Sequence, residues 1–198
     1  LNLRDPANVY TWGMCTLAYH EGIPGHVYQM AQAQKIKGLP TFRRAYFFNA
    51  YVEGWALYAE HLGWELGLED PLSNLGRLQA LIWRAARLVV DTGIHVRQWT
   101  RQEAIDYMLK VTGLPERDVI TEVERYIVMP GQACAYHIGY LKLLALRQKA
   151  QATLGPDFQL KDFHNVVIDN GGLPLPLLEQ VVNDYVDRQA GLKAREIR

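Results

Sequence analysis

Residues 78–91 read LQALIWRAARLVVD, and the spacing of their apolar side chains decides the fold class. Apolar residues recur here at intervals of three and four, which is the period of one face of an α-helix. This is also the longest apolar run of the chain, yet Arg84, Arg87 and Asp91 interrupt it. A membrane-spanning helix needs about 18 or more consecutive apolar residues, so the sequence predicts no membrane span.

The same spacing extends along nearly the whole chain, whereas the alternation typical of β-strands is hard to find. We therefore predict an all-α, multi-helix single domain. The expected helices cover residues 12–21, 25–36, 41–66, 72–98, 101–112, 116–128, 132–153, 160–169 and 175–190. Thr100 and Glu103 have the spacing of a capping box at the start of one of them. The breaks between helices are too short for interdomain linkers, and the segment after residue 190 is expected to fray as a tail.

Composition excludes several classes of function. The 198 residues contain 21 Lys and Arg against 21 Asp and Glu, and 49% are apolar. A neutral chain lacks the basic surplus that broad contact with nucleic acid requires, so no nucleic-acid partner is expected. Two cysteines do not form a disulfide framework. The G-x-S-x-G, P-loop and G-x-G-x-x-G signatures are absent from the sequence, which disfavours serine hydrolases and nucleotide-binding proteins.

The densest polar cluster in an apolar setting is HEGIPGH, residues 20–26. In the zinc-peptidase motif H-E-x-x-H, histidines four residues apart bind zinc from one helix face, and the glutamate is the general base. Here His20 and His26 are six apart, which places them about 120° from each other on a regular helix. Pro24 and its flanking glycines disrupt a helix, and the resulting break could bring His26 back beside His20. An alternative interpretation is a simple turn between two structural helices.

Two carboxylates follow in EGWALYAE, residues 53–60. Glu53 and Glu60 are seven residues apart and fall on nearly the same helix face, where carboxylates among apolar residues need a partner or a cation. In one large group of zinc peptidases the third ligand is a glutamate on the helix after the histidines, and Glu53 fits that role. Two histidines and one glutamate leave the open position that a catalytic zinc requires. Alternatively, both glutamates face solvent.

HEGIPGH, EGWALYAE, DTGIH and MPGQACAYHIGYLKLLALRQKA together resemble the C-terminal catalytic portion of the bacterial family catalogued as domain of unknown function 885. Members are mostly helical, longer than this chain and zinc metallopeptidase-like, with distant similarity to carboxypeptidase Taq, dipeptidyl-peptidase III and angiotensin-converting enzyme. The family often has two successive histidines where this chain has His26 and Val27, so an intact site here would use His26. The resemblance implies a missing N-terminal region of the same protein and favours a periplasmic or secreted location.

Two further residues are candidates for catalysis. Related zinc peptidases use a tyrosine or histidine from a late helix to stabilise the oxyanion, and by that resemblance Tyr136 is the best candidate; the alternative is that Tyr136 is a core aromatic residue. Asp91 and His95 are four apart on one helix face, a pairing that could orient His95 toward substrate or be an ordinary intrahelical contact.

We therefore expect residues 1–198 to be a single helical catalytic domain, a fragment from the C-terminal part of a longer protein, with a metal site between helices. Zinc would be bound by His20, His26 and Glu53 and would activate a water molecule. Glu21 would accept its proton, Tyr136 and His95 would stabilise the oxyanion, and the substrate would be a peptide. The alternatives are a helical binding or scaffold module with a degenerate metal site, and a zinc amidase acting on a non-peptide substrate.

Overall fold

Helices alone make up the regular secondary structure of residues 10–46 and 48–196, which the computed structural model describes. In chain order they are α1 (Met14–Glu21), α2 (His26–Lys35), α3 (Thr41–Ala45), α4 (Asn49–Glu65), α5 (Pro71–Arg97), α6 (Arg101–Thr112), α7 (Glu116–Val128), α8 (Gln132–Leu154), α9 (Leu160–Ile168) and α10 (Leu175–Glu196), with short 3-10 turns at Thr11–Gly13 and Gly155–Asp157. The prediction of an all-α single domain is confirmed.

Side-chain caps explain several of the helix boundaries. Thr100 and Glu103 form the predicted capping box, in which each side chain bonds to the other residue's backbone N–H. Before α5, the Asp70 carboxylate accepts hydrogen bonds from the N–H groups of Leu72 and Ser73, both at 2.8 Å. These bonds satisfy donors that the first turn of a helix leaves free. The boundaries of α1, α2 and α5 to α9 accordingly lie within two residues of those predicted.

The prediction of one helix over residues 41–66 is wrong. The chain leaves helical geometry after α3, since Tyr46 and Phe48 both have extended backbone conformations. Arg43 of α3 donates to the carbonyl groups of Asn170 at 2.6 Å and Gly172 at 3.2 Å, so α3 is held against the connection between α9 and α10. The apolar spacing continues through the aromatic residues at this turn, and it therefore gave no sign of the break.

The last helix is longer than predicted, because α10 continues to Glu196 instead of ending at residue 190. Residues 193–196 read KARE, and all four residue types favour helix. The expected frayed tail is thus helical as far as residue 196, while residues 197 and 198 lie outside the described part of the chain.

The main core forms where α4 packs on α8, and α9 and α10 complete it. Trp55, Tyr58, Leu143, Phe163 and Leu178 are among its fully buried side chains. A second apolar cluster joins α5, α6 and α7 to the start of α8. None of the helices in the described part of the chain has both the length and the apolar composition that crossing a bilayer demands.

Two glycines allow α4 and α8 to approach each other closely. A Cβ atom on Gly139 would lie 1.9 Å from the carbonyl oxygen of Ala50, and one on Gly54 would lie 2.5 Å from the backbone of Gly139. No side chain can occupy these positions unless the helices move apart. The short interhelical distance therefore depends on Gly54 and Gly139.

We expect Gly139→Ala to destabilise the protein by about 1–3 kcal/mol or more, because the added methyl group overlaps a backbone that cannot move locally. The matched control is Gly191→Ala in α10, where a Cβ atom meets nothing within 4 Å; it should be neutral or stabilising by up to about 1 kcal/mol. Urea unfolding curves of the two variants measure the difference. Equal unfolding midpoints would contradict the close-crossing argument.

Candidate metal centre

The segment between the two histidines interrupts the helix as predicted. α1 ends at Glu21 and α2 begins at His26, with residues 22–25 forming a sharp turn that contains a cis peptide bond between Ile23 and Pro24. The turn is fixed to α4, because the indole N–H of Trp55 donates to the carbonyl of Pro24 at 2.9 Å. Trp55 is two residues from Glu53, so this bond sets the position of the turn relative to that carboxylate.

Gly25 is required where the chain folds back on α1. A Cβ atom on Gly25 would lie 1.9 Å from the carbonyl oxygen of His20 and 2.2 Å from that of Tyr19. The backbone at the start of α2 therefore lies directly against the end of α1. This close approach brings the imidazole rings of His20 and His26 to a centroid separation of 4.8 Å, with the planes nearly perpendicular.

Three predicted metal ligands lie together. Oε2 of Glu53 is 3.6 Å from Nε2 of His20 and 3.4 Å from Nε2 of His26. All three ligand atoms lie within 4.8 Å of one another, so they could hold a single ion. Within the described residues, the histidine, cysteine or acidic side chains that lie close enough, in a group of three or more, to share a metal ion are His20, His26 and Glu53.

Glu60 holds His20 from the other side. The Nδ1–H of His20 donates to Oε1 of Glu60 at 2.6 Å, and that carboxylate is 1% exposed. Arg84 also contacts Oε1 of Glu60, at 3.4 Å. With its proton on Nδ1, a neutral His20 presents the Nε2 lone pair to the cluster, which is the arrangement that orients histidine ligands in metal sites. His26 lacks such a bond to any described residue, since its buried Nδ1 has no partner there.

The surrounding charges shift the protonation of both Glu53 and His20. Burial alone would raise the pKa of Glu53, but hydrogen bonds from His20, His26 and Tyr136 lower it to about 2. Burial alone would lower the pKa of His20, yet hydrogen bonds to Glu53 and Glu60 outweigh it and raise that pKa above its usual value. Glu53 therefore carries its negative charge throughout the physiological pH range.

Tyr136, the candidate for oxyanion stabilisation, lies beside the cluster. Its ring stacks on that of His20 at a centroid distance of 6.3 Å and an angle of 19°. The Tyr136 hydroxyl accepts hydrogen bonds from Arg125 at 3.3 Å and Gln132 at 3.4 Å. Its side chain is largely buried, so the hydroxyl has a fixed position next to Glu53.

The His95 side chain forms a hydrogen bond with the backbone of α7. Its Nε2–H donates to the backbone carbonyl of Tyr126 at 2.9 Å. The pairing with Asp91 is not formed, because the Asp91 carboxylate accepts the N–H of Gly131 at 3.0 and 3.1 Å. Both side chains thus hold the turn between α7 and α8. Glu21, in contrast, is the last residue of α1 and directly follows His20, with an exposed side chain.

Three buried charged residues near the cluster, Glu60, Arg84 and Arg87, had no role predicted from the sequence. Arg87 is buried between the rings of Trp83 and Tyr136, each 4.5 Å from its guanidinium carbon, and it donates to Glu122 at 2.8 Å. Two signals were present: the seven-residue spacing of the glutamates, and two arginines three residues apart in the longest apolar run. Both patterns identify buried charges, which require partners.

Comparisons with known proteins identify a family for most of the chain. Residues 1–182 match the family model described as bacterial protein of unknown function (DUF885). A solved structure from Colwellia psychrerythraea superposes with a TM-score of 0.92 at 49% identity, covering 95% of this chain and 32% of that one. A structure from Shewanella oneidensis gives a TM-score of 0.80 at 26% identity, covering 86% of this chain and 31% of that one.

Both of those proteins are described as a "putative lipoprotein", the second as one of unknown function. This chain spans about a third of the length of the two solved structures. No curated protein matches the sequence.

In the metal-free protein, we expect the pKa of His20 to lie above about 6.5 and to fall in Glu60→Gln, which removes a carboxylate in contact with the ring. A raised pKa stabilises the fold below about pH 6.5, and this contribution is lost as pH rises through the folded-state pKa. The stability difference between wild type and Glu60→Gln should therefore be largest at acidic pH. NMR titration of the histidine rings measures the shift.

His61, which pairs with Glu65 at 3.3 Å, serves as the internal control and should titrate identically in both proteins. An unchanged His20 pKa in Glu60→Gln would contradict the assigned interaction.

Proposed function

The chain belongs to the bacterial family DUF885, and from its candidate metal centre we propose that it is a zinc-dependent peptidase. The observation that carries the proposal is the convergence of His20, His26 and Glu53 around one point, with a buried carboxylate behind His20. A purely structural turn would not need two histidine Nε2 atoms directed at the same carboxylate oxygen.

The donor set fits zinc by type and by spacing. Two imidazoles and a carboxylate are ligands that zinc accepts, and three protein ligands leave a position open for substrate or water. In a tetrahedral site with ligand bonds of about 2.0–2.1 Å, ligand atoms lie roughly 3.3–3.4 Å apart. The carboxylate oxygen of Glu53 is 3.4 and 3.6 Å from the two nitrogens, close to that spacing. The three ligand atoms lie within 4.8 Å of one another, so binding one ion would draw the two imidazoles closer together.

Zinc, when bound, supplies Lewis-acid activation of a water molecule. The remaining steps belong to the chain. Glu21 accepts a proton from the attacking water and returns it to the leaving amine, the usual role of a glutamate that follows the first ligand. The Tyr136 hydroxyl donates a hydrogen bond to the carbonyl oxygen as negative charge develops there. His95 has no part in this scheme, because its ring nitrogen is bonded to the Tyr126 carbonyl.

The substrate in this proposal is a peptide. We also propose a periplasmic or secreted location, which is supported by the description of the two similar structures as lipoproteins. If the protein binds zinc but hydrolyses only non-peptide amides, the proposed substrate class is wrong and the proposed metal site still holds.

We expect about one equivalent of zinc per chain after dialysis against zinc and then buffer, measured by inductively coupled plasma mass spectrometry. His20→Ala, His26→Ala and Glu53→Ala should each abolish stoichiometric zinc, because two protein ligands bind much more weakly than three. His61→Ala is the matched control: it removes a histidine of α4 outside the cluster and should retain zinc. Full retention in His26→Ala would overturn the ligand assignment.

Glu21→Gln should keep its zinc while turnover falls by roughly 10²–10⁴, since the amide preserves shape and cannot accept the proton. Cleavage of a peptide library, followed by mass spectrometry, measures both activity and product identity. Glu116→Gln, an exposed glutamate at the start of α7, is the control and should cleave at the wild-type rate. An active Glu21→Gln protein would rule out this general base.

A further inference from the structure

A cavity of about 220 Å³ opens beside α2, between that helix, the end of α3, α4 and the connection from α9 to α10. Met30, Ala33, Leu39 and Val52 form an apolar part of its lining. We refer to it as the Gln29 cavity, after the polar side chain in its wall. It holds none of the predicted metal ligands and none of the catalytic candidates.

Gln29 is buried, with 3% of its surface exposed. Its amide lies close enough to the Tyr51 hydroxyl to lower the pKa of that tyrosine, but neither the amide nitrogen nor the amide oxygen makes a hydrogen bond of good geometry to a described residue. A buried amide without a well-formed hydrogen bond is costly, so such a group calls for a ligand or water that bonds to it. Because Gln29 lines the cavity, that ligand would lie inside it.

The cavity wall is positively charged. Arg43 and Arg44 both line it, and the lining contains no aspartate or glutamate among the described residues. Arg43 is held in place by the carbonyls of Asn170 and Gly172, neither of which neutralises its charge. Arg44 is exposed and has no carboxylate within 4 Å in the described part of the chain. The charge of Asp169 contributes to raising the pKa of Tyr51, but Asp169 does not line the cavity.

The cavity lies next to the candidate metal centre along α2 and α4, two of the three helices that carry the proposed ligands. Gln29 is three residues, or about one helical turn, after His26 on α2. Val52 directly precedes Glu53 on α4. A peptide residue adjacent to the bond being cleaved is therefore within reach of the cavity, because consecutive Cα atoms are about 3.8 Å apart.

We propose that the Gln29 cavity binds a carboxylate group of the peptide substrate, through the Gln29 amide and the charges of Arg43 and Arg44. This assignment of substrate class rests on the proposed peptidase function. The carboxylate has two sources, an acidic side chain or the free C-terminus of the peptide. The cation and amide chemistry is the same for both, and the experiment separates them.

The test is an NMR titration of the chelator-treated, metal-free protein with three isosteric probes. N-acetylglutamate α-amide carries only a side-chain carboxylate, N-acetylglutamine carries only a terminal carboxylate, and N-acetylglutamine amide is neutral. We expect one of the two charged probes to bind about tenfold or more tightly than the neutral probe. Whichever charged probe binds more tightly shows whether the carboxylate comes from an acidic side chain or from the C-terminus of the peptide. Chemical shift changes should centre on the Gln29 side-chain amide.

Arg44→Glu should weaken that binding by about tenfold, and Gln29→Leu should weaken it comparably, since hydrogen bonds to charged groups are stronger than those between neutral groups. The matched control is Lys35→Glu, an exposed charge reversal on α2 outside the cavity, which should bind like wild type. Equal binding of all three probes, or equal affinity in Arg44→Glu and Lys35→Glu, would overturn the proposal.

The measurement needs neither zinc nor turnover, so its outcome is separate from that of the peptidase proposal. A chain that holds no zinc but still binds the charged probe would refute the peptidase function and support the carboxylate site. A chain that cleaves peptides without any preference among the probes would support the peptidase and refute the carboxylate site.

Discussion

Gly54 and Gly139 face each other where α4 crosses α8, and the two backbones meet there with no side chain between them. Packed helix axes are usually about 8–10 Å apart, a distance that side chains at the crossing set. Glu53 directly precedes Gly54, and Tyr136 is one helical turn before Gly139. The crossing therefore fixes how closely the Tyr136 hydroxyl approaches Glu53. The geometry of the polar cluster therefore depends on the absence of a side chain at Gly54 and at Gly139.

Buried charges support the cluster from behind. Glu60 and Arg84 lie on one side of His20, while Tyr136 stacks on its ring and Arg87 lies over Tyr136. Burying charges is costly unless each has a partner, and removing one partner of such a pair costs about 3–5 kcal/mol. The network consequently permits few alternative orientations of the imidazole. A site that acts through a fixed lone pair benefits from that rigidity.

Sequence patterns predicted most of the helices because apolar spacing and capping residues act locally, as at Thr100 and Glu103. The HEGIPGH turn was predictable for the same reason, since Pro24 and two glycines disrupt a helix wherever they occur. Two features that could not be predicted from the sequence, the break after α3 and the partner of His95, are determined by tertiary contacts. The break after α3 follows from Arg43 reaching carbonyls more than 120 residues away in the chain. His95 likewise bonds to the carbonyl of Tyr126 near the end of α7. Local spacing had instead suggested Asp91 as its partner.

The buried side chains of α1 and α2 are Thr16, His20 and Gln29, all of them polar, so neither helix places a fully buried apolar side chain in the core. Segments that bury little apolar surface open locally at a lower free energy than the core. An ion that binds only the closed form raises that free energy in proportion to the logarithm of its concentration over its dissociation constant. Occupancy of the centre would therefore govern how fast the backbone amides of residues 14–35 exchange with solvent. The amides of α4 and α8 would exchange only when the whole domain unfolds.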